Sequence, residues 1–234
     1  EIAVAACKGT SVKVIAGAGS NATHEAIDIA KHAQKVGADG ILSVTPYYNK
    51  PSQEGLYQHY KAIANAIEIP VMLYNVPGRT AVDLEAQTAI RLYDDVSNIY
   101  AIKEATGSLE RATALLSKRK DFRVISGDDA IDFAMMANGG SGIISVTANI
   151  LPNLKSKLVH SALEGDFETS KKINDELYNL NKSLFVEANP VPIKAAMYIA
   201  GLIDTLEYRL PLTPPSKETM QILEKTLEQY EVIK

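Results

Sequence analysis

One cysteine, Cys7, stands alone in 234 residues, so the chain can close no internal disulfide, and a reducing compartment such as the cytoplasm suits it. Long hydrophobic runs are lacking too: none approaches the ~20 residues that a membrane span takes. The opening residues, from Glu1 to Lys8, lack the basic start and extended apolar core of a secretory signal and read as the last turns of a helix. No run of Lys or Arg forms a basic tail, and with a formal net charge of −4 nothing draws the chain to nucleic acid or to an anionic membrane surface. The four histidines, His24, His32, His59 and His160, are scattered and form neither a His-Glu-x-x-His pair nor a cluster with cysteine, so no metal site is expected. Two Asn-x-Ser/Thr triplets, at Asn21 and Asn181, are common by chance and carry no weight.

What is present is a hydrophobic share of 46% and a charged share of 22%, which suffices for one sizeable core in one or two domains. Short apolar runs recur at 12–16, 40–45, 70–74, 99–103, 122–126 and 142–146. They are nearly continuous rather than alternating, as in parallel strands buried on both faces. Helical patterns fill the gaps: 22–36 with Thr23 as a cap candidate and Gly37 as the stop, then 53–67, 83–93, 109–118 and 129–138 with Asp129 as a cap candidate. After the sixth strand only helices are expected, at 153–164, 167–185, 191–199 and 216–230. Strict alternation predicts an α/β fold, either a (β/α)8 TIM-barrel type represented here by six strands or an open doubly wound sheet. On the first reading, residues 1–152 form the barrel portion, residues 153–234 hold its last helix and a C-terminal helical region, and two further strands precede Glu1.

In both architectures chemistry gathers at the C-terminal ends of the strands. Lys103 ends the run Ile99-Tyr100-Ala101-Ile102, so its stem starts inside an apolar wall, where desolvation favours the neutral amine. A neutral amine can attack a ketone and form an imine that serves as an electron sink. A strand-end lysine is more often a structural charge, for instance paired with Glu104; the tyrosines on the same rim favour chemistry. Tyr48 and Tyr74 can pass protons, and Arg79, after the tight Pro77-Gly78 turn, can grip a carboxylate in bidentate fashion. The backbones at Gly127 and Ile144 can approach a ligand closely. Against this stands a Gly-x-Gly-x-x-Ala run at 17–22 that matches a dinucleotide fingerprint, but the acidic residue that should follow, Asp39, falls before the next strand instead of at its end. Lys194, in a helical segment, reads as structural.

Taken together, Val44-Thr45-Pro46-Tyr47-Tyr48-Asn49-Lys50-Pro51, Tyr74-Asn75-Val76-Pro77-Gly78-Arg79-Thr80, Ile102-Lys103-Glu104-Ala105-Thr106-Gly107, Ser126-Gly127-Asp128-Asp129 and Ile143-Ile144-Ser145-Val146-Thr147 resemble the dihydrodipicolinate synthase family, within the N-acetylneuraminate lyase superfamily. The resemblance runs from the first residues to the last helix. It implies a (β/α)8 barrel and a Schiff-base lyase of lysine and diaminopimelate biosynthesis that needs no cofactor. Lys103 would form the imine with pyruvate, and the enamine would attack aspartate semialdehyde. Tyr74 would stand over the imine as the central phenol, Tyr48 would reach into a neighbouring subunit, Arg79 would hold the semialdehyde carboxylate, and Gly127 and Ile144 would help place pyruvate. It further implies self-association as a homodimer or homotetramer, with Asn21, Glu25 and Tyr47 at positions that contact an inhibitory L-lysine. Sister scaffolds remain open: an N-acetylneuraminate lyase-like or keto-deoxy-sugar aldolase would use the same Lys103 and Tyr74, and a non-catalytic module would use neither. The family's Gly-Thr-Thr-Gly-Glu turn, whose threonines complete the relay, lies ahead of the first residue of this sequence, so weak or no turnover is expected of the 234-residue chain by itself.

Overall fold

A computed structural model describes residues 1–230 and Val232. A short helix α1 (Ile2–Cys7) opens the chain, and strands then alternate with helices: β1 (Ile15–Gly17), α2 (Thr23–Lys35), β2 (Gly40–Val44), α3 (Gln53–Asn65), β3 (Val71–Asn75), a single turn α4 (Pro77–Thr80), α5 (Ala86–Asp95), β4 (Ile99–Glu104), α6 (Leu109–Lys118), β5 (Arg123–Ser126), α7 (Asp132–Ala137) and β6 (Gly142–Ile143). From there the described chain is helical, with α8 (Pro152–Leu163), α9 (Phe167–Glu176), α10 (Tyr178–Ser183), α11 (Val191–Ile199) and α12 (Lys217–Leu227).

The strands form one sheet in the order β1-β2-β3-β4-β5-β6, and the pairings from β1 through β5 are parallel. That order decides between the two architectures. A doubly wound sheet reverses direction at a switch point, whereas here every crossover steps the same way, as in a (β/α) barrel. Six strands of the barrel-type class are therefore present. β1 differs from its expected burial: its pattern is exposed, half-buried, exposed, because it has β2 as its one neighbour in the strand order.

Helix boundaries follow local capping. Ser108 Oγ accepts from Arg111 N at 3.2 Å and opens α6 at the expected residue, and Gly37, at φ +90°, stops α2. Two cap expectations fail for a physical reason. The Thr23 hydroxyl is hydrogen-bonded with His59 Nδ1 at 2.9 Å, and the N-cap position passes to Ala22. Asp128, not Asp129, accepts from Ala130 N at 3.0 Å, because Asp129 is committed to a buried ion cluster.

The described chain divides into two compact units, one of residues 1–127 with 138–142, the other of residues 128–137 with the chain from Ile143 on. The core of the first is built by β2, β3 and β4, whose residues Ile41, Val71, Leu73, Ala101 and Ile102 are buried, together with Leu56, Ile63, Leu92 and Leu115 from α3, α5 and α6. The core of the second gathers Leu158, Ile173, Leu177, Leu180, Leu184, Ile193, Leu223 and Leu227. Within that second unit a lysine is buried to 2% exposure: Lys155 Nζ lies 2.7 Å from Asp129 Oδ1 and 2.5 Å from Asp132 Oδ2. Asp129 also accepts from Ser145 Oγ and, at 2.7 Å, from Val146 N. Asn181 Nδ2 donates to the Asp129 carbonyl at 2.9 Å and its Oδ1 accepts from Thr147 at 2.7 Å. This buried Asn181 is fully committed inside the fold, which disposes of its glycosylation triplet.

Removing the cation strands two buried carboxylates. Lys155→Met is therefore expected to destabilise the fold by about 3–5 kcal/mol, read as a lower urea midpoint; an unchanged midpoint would show that the cluster contributes nothing net.

Candidate active site

The parallel register sets the site. Tyr74 on β3 stands level with Lys103 on β4, and Lys103 stands level with Ile125 on β5. Residues level with each other share a face of the pleat, so Tyr74 and Lys103 project side by side. The Lys103 ammonium nitrogen lies 4.2 Å from the centroid of the Tyr74 ring, within cation–π range. Both side chains are half-buried. Burial raises the Tyr74 phenol above its ordinary value, and the Arg79 charge opposes that shift in part. Arg79 sits in α4, directly after β3, with its side chain exposed.

Gly127 follows β5 and packs on the lysine. A Cβ at that position would come within 2.8 Å of Lys103 Cε, 3.1 Å of Lys103 Cγ and 2.8 Å of Ala105 Cβ. The glycine thus leaves the channel through which the lysine stem passes, a role in addition to the backbone contact expected of it. Ile144 follows β6 and belongs to the second unit, half-buried, with its neighbours Ser145 and Val146 held by Asp129.

The next residues along β3 and β4, Asn75 and Glu104, are also level and turn to the opposite face. Glu104 is 1% exposed; burial raises its carboxyl above the usual range, against hydrogen bonds from Thr106 N at 2.9 Å and Asn75 Nδ2 at 3.3 Å. Asn75 Nδ2 also meets Asp83 Oδ1 at 2.8 Å, and Asn75 Oδ1 accepts from Leu84 N at 3.0 Å. Arg111 closes the network on Asp83 and, at 2.6 Å, on the Leu84 carbonyl. Sequence reasoning missed this layer. The available signal was that each polar residue comes directly after a site candidate, so strand alternation sends it to the other side, where burial demands partners.

Tyr48 is left in solvent at 87% exposure, not packed over Lys103, and its backbone is left-handed at φ +75°. Its amide donates to the Thr80 carbonyl at 3.3 Å, which ties the loop after β2 to the turn that carries Arg79. The three positions expected at an inhibitor pocket come from two stretches of chain, Asn21 and Glu25 from one and Tyr47 from the other, joined by a hydrogen bond. Asn21 Nδ2 donates to the Tyr47 carbonyl at 3.1 Å, and Glu25, in the first turn of α2, accepts from Ser20 Oγ at 2.6 Å.

The glycine run at 17–22 has its own explanation. A Cβ on Gly19 would come within 2.8 Å of Val44 N, so close packing against β2 demands the glycine. Asp39 lies just ahead of β2, where it accepts from Val14 N at 2.9 Å and pairs with Lys13 at 3.0 Å, far along the strand from the rim. Lys194 stacks over the Tyr208 ring at 5.3 Å, as a structural lysine would. Among the described residues, no group of three His, Cys, Asp or Glu side chains could hold a metal ion, and no helix is long and apolar enough to cross a membrane.

Comparison with known proteins bears on the family and the fold. The model of the dihydrodipicolinate synthetase family matches residues 1–230. The 4-hydroxy-tetrahydrodipicolinate synthase of Aliarcobacter butzleri is 74% identical over 234 residues, all of this chain and 79% of that protein. The crystal structure of the chloride-inhibited dihydrodipicolinate synthase from Acinetobacter baumannii complexed with pyruvate superposes with a TM-score of 0.94 at 47% identity, covering 98% of this chain and 78% of that one. That of the dihydrodipicolinate synthase from Cyanidioschyzon merolae with lysine bound gives 0.93 at 39% identity, covering 98% and 78%. This chain belongs to the dihydrodipicolinate synthetase family.

Proposed function

We propose that this chain carries the Schiff-base chemistry of a 4-hydroxy-tetrahydrodipicolinate synthase, a lyase, with Lys103 as the nucleophile. The observation that carries the reading is the Lys103 nitrogen 4.2 Å from the Tyr74 ring, at the C-terminal ends of adjacent parallel strands. The amine attacks the keto carbon of pyruvate, and loss of water gives the imine. Loss of a methyl proton turns the imine into an enamine, whose carbon attacks the aldehyde carbon of aspartate semialdehyde. The amino group of the second substrate then displaces Lys103 as the ring closes, which frees the enzyme for another turn.

The other residues take parts that their surroundings support. Tyr74, its phenol held protonated by burial, donates to the departing hydroxyl and takes a proton back. Exposed Arg79 is free to grip a carboxylate as the semialdehyde enters. Gly127 and Ile144 offer backbone to pyruvate. Tyr48 serves a neighbouring copy in a homodimer or homotetramer, which fits a phenol presented to solvent by a fixed backbone. Asn21, Glu25 and Tyr47 form one wall of a site for L-lysine: a carboxylate for an ammonium and an amide for the amino-acid head group. A cytoplasmic setting suits the unpaired thiol of Cys7.

Three outcomes test the reading. Borohydride added with pyruvate should leave a reduced adduct that mass spectrometry maps to Lys103, and Lys103→Ala should abolish it; an adduct at any other lysine, or none, would sink the assignment. Tyr74→Phe should slow trapping by about 100-fold or more without abolishing it, as expected when a group only moves protons. Gly127→Ala should push the lysine stem aside and slow trapping by roughly 10–100-fold while the fold stays intact by circular dichroism.

A further inference from the structure

Lys103 and Tyr74 reach the site from one face of the sheet, and a second pair in the same register, Glu104 and Asn75, stands directly behind them. Both are buried, at 1% and 0% exposure, in a position where an apolar pair would satisfy packing at lower desolvation cost. What the polar pair adds is direction. Asn75 Nδ2 bridges Glu104 Oε2 at 3.3 Å and Asp83 Oδ1 at 2.8 Å, while Asn75 Oδ1 takes the Leu84 amide at 3.0 Å. Glu104 Oε1 takes the Thr106 amide at 2.9 Å and so fixes the turn that leaves β4. Arg111 anchors the far end at Asp83 and at the Leu84 carbonyl.

One network therefore holds three backbones: that of Tyr74 through Asn75, that of Lys103 through Glu104, and the segment that returns from α4 through Asp83 and Leu84. A slip of β3 against β4 would break the Asn75–Glu104 contact and carry the amine off the ring. We propose that Glu104 and Asn75 are positioning residues that hold the Lys103 amine over the Tyr74 ring and so set the rate of imine formation. The proposal rests on the Schiff-base reading for its rate, but its geometric half stands apart from it.

The test exchanges the donor and acceptor. Glu104→Gln sets amide against amide, Asn75→Asp sets carboxyl against carboxyl at both Glu104 and Asp83, and the double variant, made together with Asp83→Asn because Asn75 also donates to Asp83 Oδ1 at 2.8 Å, restores donors facing acceptors. Each single variant should form the borohydride-trapped pyruvate adduct about 10–100-fold more slowly, with little change in half-saturating pyruvate, and the double variant should recover most of the loss. A scaffold role alone would lower thermal stability without that split and without that rescue. A second readout needs no pyruvate. Reductive 13C-methylation labels the Lys103 amine, and its NMR signal, assigned with Lys103→Ala, should carry an upfield ring-current shift that Tyr74→Leu removes. The single variants should lose the shift and the double variant regain it.

Should the parent chain fail to trap pyruvate, the Schiff-base reading falls while the NMR shift still decides the positioning. Glu104→Asp, which keeps the charge but is one methylene short of Asn75, is read in the same two ways if the first variants do not fold. Any folded single variant with the parental shift and trapping rate overturns the proposal, as does a double variant no better than the product of the singles.

Discussion

The arrangement depends on the pairing of β3 with β4. Parallel strands bring level residues onto one face, so the register that aligns Tyr74 with Lys103 also aligns Asn75 with Glu104. A displacement of β4 by one residue would turn its faces over, sending the Lys103 amine to the helical side and the Glu104 carboxyl to the side of Tyr74. The apolar residues upstream oppose that slip. Val71, Leu73, Ala101 and Ile102 are buried, and a changed register would expose them or force them into occupied space. Hydrophobic packing thus sets where the Lys103 amine lies relative to the Tyr74 ring by fixing a count along two strands.

Much of this was legible in the sequence. The six strands and the helices between them followed from continuous apolar runs and from stops such as Gly37. Two helices, 109–118 and 191–199, have the bounds that their patterns imply. The pairing of Lys103 with Tyr74 was legible as a shared rim, though not as a distance. What could not be read depended on partners distant in sequence. Asp129 looked like a helix cap because Asp favours caps, but a lysine from α8 captures it. Thr23 looked like a cap for the same reason, and its hydroxyl is hydrogen-bonded with His59 on α3. Lys155 carries no sequence signal of burial at all, since lysine is among the residues least often buried.

Glycines show the same division. Gly19 belongs to a pattern associated with phosphate binding, and the structure accounts for it by the backbone of β2 lying where a side chain would be. Gly127 belongs to no such pattern, yet it is the residue against which the lysine stem packs. Spacing in the sequence records that a glycine is required; only the neighbour says whether the requirement comes from a ligand, a strand or a side chain.

Tyr48 illustrates a constraint of a different kind. Left-handed backbone suits glycine or asparagine and is disfavoured for an aromatic residue, so the fold bears a conformational cost at this position of order 1–3 kcal/mol. Substitution by glycine would relieve that strain and delete the phenol together. Backbone comfort and side-chain chemistry therefore pull in opposite directions at one residue, and a tyrosine held there carries a conformational cost that glycine would not.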